Sequence, residues 1–124
     1  MSAYLTPVDL RLIGDGEWLV LAPLRYHSDT LRAVVHVPAG FKTDLASVPR
    51  LPLAYLVAGG HAPASAVVHD WLLETDTAWA LAAKVFREAM AVEGVTLWRR
   101  ELMYSAVRVH GWRKAVADYL TRFP

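Results

Sequence analysis

The chain predicts an α+β domain: a small N-terminal antiparallel β-sheet followed by three α-helices. Two observations predict it. Between about residues 9 and 44, short apolar runs alternate with Gly, Pro and Asp turns, as strands do. Between about residues 63 and 122, apolar residues recur at helical spacing in three separate stretches. Strands first and helices second, without βαβ alternation, place the helices on an antiparallel sheet. At 124 residues the chain is read as a single domain, long enough to bury a real core.

Leu10 to Ile13 is a short apolar run. Gly14-Asp15-Gly16 turns it into Glu17–Leu21, which is rich in Trp, Leu and Val, so residues 9–22 read as a hairpin. Pro23 blocks further central pairing. Leu24 to His27 continues an edge, and Ser28-Asp29-Thr30 is a turn. Leu31 to Val37 is the next strand, ended by Pro38-Ala39-Gly40. Pro63 suits a first helical position, with Ala64 to Glu74 after it. Thr75 or Asp76 is the expected cap of a second helix running to about Glu93. Its apolar face is Trp79, Ala82, Ala83, Phe86, Ala89 and Met90, opposite Lys84, Arg87 and Glu88. Gly94 stops it. Thr96 is the expected cap of a third helix, Leu97 to about Leu120, with Trp98, Leu102, Ala106, Val109, Val116 and Leu120 in its apolar stripe. Gly111 is a candidate kink.

Hydrophobic residues make up 55% of the chain, with five Trp. No apolar run approaches the roughly 20 residues of a membrane span, so no transmembrane segment is expected. The apolar excess goes to the core, to a partner surface such as a homo-oligomer contact, or to both. Cysteine is absent, which excludes disulfides, thiolate metal sites and a thiol nucleophile. Met1 to Leu10 has no basic stretch leading into an apolar one, so no signal peptide is expected. Net charge is +1 but uneven: residues 61–93 carry two basic and five acidic side chains, and residues 94–124 six and two. A solvated helix face is the favoured reading of the basic end, and an approach to a phosphate-rich or acidic partner is the alternative. No aromatic–basic repeat points to nucleic acid.

The chemistry-bearing residues fall in two places. The loop after Pro38 holds Thr43, Asp44, Ser47 and Arg50, stiffened by Pro38 and Pro49. These four are the candidate binding residues. In turns the same residue types bond their own backbone, and Asp44 could pair with Arg50 to hold the loop closed. His69-Asp70 follows on the first helix. Adjacent helical residues diverge by about 100°, so the two address different partners. One arrangement has Asp70, with Asp44, hold a divalent metal while His69 acts as the base. The other makes His69 a core-edge residue bonded to backbone. His61 could join His69 and Asp44 in a mononuclear site. His27, His36 and His110 stand isolated and read as structural.

Val37-Pro38-Ala39-Gly40-Phe41, Thr43-Asp44-Leu45-Ala46-Ser47-Val48-Pro49-Arg50 and His69-Asp70 together resemble a small phage-associated family catalogued as domain of unknown function 1353. Phe86–Met90, Gly94-Val95 and Trp98-Arg99-Arg100 continue the resemblance, from Trp18 to about Trp112. It implies a tailed-phage or prophage protein with other phage proteins as partners, made in the host cytoplasm and associated with the virion. The family's His-Asp helix and following Asp-bearing helix are similar to the two-helix core of phospholipase A2. That similarity implies His69 as a general base for water, Asp70 as a calcium ligand, and an orienting Asp on the second helix. Here the Tyr position is Leu73 and the orienting Asp is replaced by Ala83. A non-catalytic virion, assembly or host-interaction component is therefore expected. The alternative is a metal-assisted hydrolase of lipid or cell-envelope ester or amide bonds.

Overall fold

A computed structural model describes residues 1–14, 16–43 and 63–122. The order is β1 (Ala3–Tyr4), β2 (Leu10–Gly14), β3 (Glu17–Val20), β4 (Leu24–Ser28), β5 (Ala33–Val37), β6 (Lys42–Thr43), α1 (Pro63–Glu74), α2 (Trp79–Val92) and α3 (Leu97–Arg122). The expected α+β arrangement is present. The strands form two three-stranded antiparallel sheets rather than one, ordered β1-β4-β5 and β2-β3-β6. Pro23 marks the break between them. Past it the chain leaves β3 and starts β4 in the other sheet.

The β4–β5 hairpin supplies most of the strands' share of the core, joined by Val20 of β3. Leu24, Tyr26, Val35 and Val37 point to one face and are buried, as the period of two requires. Leu31, expected in the strand, lies in the connection instead, and Arg32 there has φ 53°. The two-residue β1 pairs Ala3 with His27 and Tyr4 with Tyr26. It is too short for any periodicity to announce it.

α2 is the central element, packed between α1 and α3 and touching β1 and β4. Its buried residues are Ala82, Ala83, Val85, Phe86, Ala89 and Met90. Alanine at three of these positions lets the neighbouring elements approach closely. Both ends of the α1–α2 connection are set by backbone chemistry. α1 ends in a Schellman motif: Thr77 N–H donates to Leu72 O (2.9 Å) and Asp76 N–H to Leu73 O (3.3 Å), with Asp76 at φ 64°. Asp76 thus closes α1 and cannot cap α2, and the Thr75 hydroxyl donates to the carbonyl of Trp71. The residue before α2 is Ala78, which offers no side-chain cap. This corrects the expected Thr75 or Asp76 cap. α2 ends in the same way, with Val95 N–H donating to Met90 O (3.0 Å) and Gly94 at φ 86°.

α3 departs from expectation in two respects. It runs unbroken through Gly111. A Cβ there would come within 2.8 Å of the Trp79 ring, so the glycine admits α2's first residue rather than bending the helix. Its expected apolar stripe also does not face the core. Trp98, Leu102, Val109, Val116 and Leu120 are exposed, and Met103 and Val107 are the buried pair. The helix carries two apolar faces, and periodicity alone selects the longer one.

Two carboxylates, Glu88 in α2's C-terminal half and Glu93 just past its end, tie the layers together. Glu88 accepts hydrogen bonds from the Tyr26 hydroxyl (2.7 Å), the Thr30 N–H (2.9 Å) and the Thr30 hydroxyl (2.5 Å), fixing the β4–β5 turn to α2. Burial pushes its pKa up, but these donors outweigh burial and leave it lowered. Glu93, just past α2, accepts from the Ser65 N–H (2.6 Å), the Ser65 hydroxyl and the Tyr4 hydroxyl (3.4 Å). Ser65 is the third residue of α1, so Glu93 caps α1 from another helix. Burial raises the Glu93 pKa despite its donors, and burial followed by the Glu93 charge keeps Tyr4 a neutral donor.

Removing the acceptor and removing only its charge should therefore have different effects. Glu93→Ala is expected to lower unfolding free energy by about 2–4 kcal/mol, because it strands a buried hydroxyl and a helix N–H. Glu93→Gln keeps an acceptor and relieves the buried charge, and should stay within about 1 kcal/mol of the parent. Urea denaturation of the three proteins at neutral pH checks this.

Candidate functional site

α1 presents His69 and Asp70 in different directions, as adjacent helical positions must. His69 turns inward and is 3% exposed. Its ring lies against Phe86 of α2, with centroids 4.9 Å apart and planes tilted by 33°. Burial, with a smaller contribution from the His110 charge, pushes its pKa down to about 4. The ring is therefore neutral at physiological pH. Asp70 is half-buried and accepts a hydrogen bond from the Thr43 hydroxyl, which joins the end of β6 to α1. Thr43 is itself buried. Beside it, Phe41 meets Trp71 edge-on with centroids 5.0 Å apart, a second contact between the strand end and α1.

Thr43 and Asp70 are thus brought together at the edge of His69's helix. Asp44, Ser47, Arg50 and His61 lie outside the described residues. The metal-ligand pair of Asp70 with Asp44 and the mononuclear site of His61, His69 and Asp44 lie outside them too.

A groove of about 680 Å³ opens beside the His-Asp pair. α1 supplies His69, Asp70 and Glu74 to it, and α3 supplies His110, Lys114 and Asp118. The three α3 residues are spaced by four, so they form one row along the helix. His110, read as isolated in sequence, sits across the groove from His69. The row could have been found as a polar run at helical spacing, but nothing in the sequence says that it faces α1. Trp79 and Gly111 also line the groove where α2 and α3 make their close approach.

Calcium takes six to eight hard oxygen ligands. Among the described residues, no group of three or more His, Cys, Asp or Glu side chains is arranged to hold a metal ion. Asp70 by itself supplies too few oxygens, so the described residues alone do not fit a calcium site. Ala83 of α2 is fully buried, one turn before Phe86. No described helix is long and apolar enough to cross a membrane.

The fold and this groove define a small α+β protein with a His-Asp helix packed against a strand end. The family of proteins of unknown function designated DUF1353 matches residues 18–107, and the chain belongs to it. No curated protein and no solved structure matches the chain.

The pKa of His69 sets a pH dependence of stability. Its folded value, about 4, lies below the ordinary 6.5 of an unfolded chain. As pH falls, the unfolded chain takes up the proton first. The stabilisation from neutral His69 is complete above about pH 6.5 and is lost towards pH 4, up to roughly 3 kcal/mol in all. His69→Gln removes that component and leaves Glu88 and Glu93 unchanged. Urea midpoints at about pH 7 and about pH 4.5 should differ more in the parent than in H69Q.

Proposed function

We propose that this chain is a non-catalytic component of a tailed phage or prophage, acting by protein contact in the virion, its assembly or the encounter with the host. The observation that carries this reading is the burial of His69. A general base must reach the proton it abstracts, and a ring 3% exposed and stacked on Phe86 is held in the core. Two further features support it. Asp70 is engaged by Thr43, and Ala83 stands at the position where the resemblance to phospholipase A2 implies an orienting carboxylate. Other phage proteins are the expected partners.

The alternative is a hydrolase of lipid or cell-envelope ester or amide bonds in which His69 takes a proton from water. The groove favours it, since both His69 and Asp70 line it and a neutral imidazole can accept a proton. Fatty-acid release from mixed phospholipid vesicles, with calcium and with chelator, separates the two. Wild type and His69→Ala are both expected to match the protein-free rate. Calcium-dependent release by the wild type that H69A abolishes would establish the hydrolase instead.

A further inference from the structure

Among the described residues, the outward face of α3 is an extended apolar feature that the fold itself does not use. Met103 and Val107 face the core. At 100° per residue, the row of Leu102, Val109, Trp112 and Val116 points roughly 150° away from them. All four are exposed, Trp112 by 58%, and Leu120 extends the row at 61%. With side-chain areas of up to ~250 Å² for the aromatic rings, these five expose on the order of 500 Å² of apolar surface. Trp98 and Tyr119, 59% and 63% exposed, bring the strip towards the ~800 Å² that each partner gives a stable interface. Isolated exposed apolar residues need no explanation, but a continuous strip of this size does.

The spacing of the strip is specific. Trp98, Leu102, Ser105, Val109, Trp112, Val116 and Tyr119 alternate steps of four and three, the repeat by which two helices pack along a seam. No charged residue interrupts it. Its edges are Glu101, Arg108, Ala115 and Arg122 on one side and Arg99, Ala106, Arg113 and Leu120 on the other.

We infer that this face binds the same face of a second copy of the chain, with the two α3 helices antiparallel. Charge and volume both select this arrangement. In parallel pairing, Arg108 would meet Arg113 of the second copy, and Trp112 and Ser105 would each face themselves. In the antiparallel register, Leu102 faces Tyr119, Ser105 faces Val116 and Val109 faces Trp112 of the second copy. Arg108 then lies beside Ala115, Arg113 beside Ala106, and Glu101 beside Arg122, so no like charges meet. A shallow depression of about 530 Å³, bounded by Leu102, Ser105, Ala106 and Val109 with His110 and Arg113 at its rim, lies where the second copy's Trp112 and Val116 arrive. The contact is self-complementary and closes as a two-fold dimer.

Sedimentation equilibrium of the full chain tests the association. The expected result is a dimer of twice the chain mass, with a Kd on the order of 1–10 μM. V109E combined with V116E changes only exposed positions and should weaken association at least 100-fold, with helical circular dichroism unchanged. Orientation is read by cross-linking, since the chain has no cysteine of its own. A short bis-maleimide should couple L102C chains to Y119C chains in a mixture, and should not couple L102C chains to each other. A wild type that stays monomeric at high concentration overturns the proposal, and the strip then serves a different partner. Dimerisation of V109E/V116E as tight as the wild type's, or L102C self-coupling, overturns it as well.

Discussion

The carboxylate of Glu93 is the junction on which the rest of the fold depends. It sits just past α2, closes the N-terminal end of α1 through Ser65, and reaches β1 through Tyr4. Gly94 and Val95 hold it there by ending α2 in a left-handed turn. One side chain thereby fixes the angle between two helices and the edge of a sheet. Glu88 does the same one turn earlier for the β4–β5 hairpin. Asp70 repeats the device on α1, holding the end of β6 through Thr43. In each case a carboxylate on a helix or at its end accepts from hydroxyl or N–H donors of a strand, a turn or a neighbouring helix. These contacts satisfy buried polar groups from within the chain.

The His-Asp pair takes its meaning from this pattern. Asp70 serves as an anchor like Glu88 and Glu93. His69 is a neutral ring filling the space between α1 and Phe86. Phe86 is the α2 side chain that meets the ring. The groove alongside is more polar than this core, and its row on α3 stands apart from the anchoring contacts.

Much of this order is legible in the sequence. Three helices at about 63–122 follow from spacing, and their ends follow from Pro63, Glu74 and Gly94. The α2 face is also legible, because it has a single apolar stripe. α3 is not, because it has two. Its longer stripe, through Leu102, Val109 and Val116, is the natural choice from periodicity. Its inward pair, Met103 and Val107, is chosen by where α2 lies. Glu88 and Glu93 were also invisible. On a helical wheel they belong to the polar side, and only tertiary contact with Tyr26, Thr30 and Ser65 makes them anchors. Thr43 and Asp70 were each legible as candidates. Their pairing depends on the path between strand and helix, which no local rule encodes.

The central claim is that carboxylates carried by the helices, Asp70 among them, hold the strands in place. The most direct measurement is a double-mutant cycle on Thr43 and Asp70, with unfolding free energies of the parent, T43V, D70N and the double variant. A structural anchor predicts a coupling of about 1–3 kcal/mol between the two sites. Strictly additive losses, or a gain in stability on replacing Asp70, would contradict the account. The latter would mean that the carboxylate is kept at a cost to the fold, as a functional site's would be.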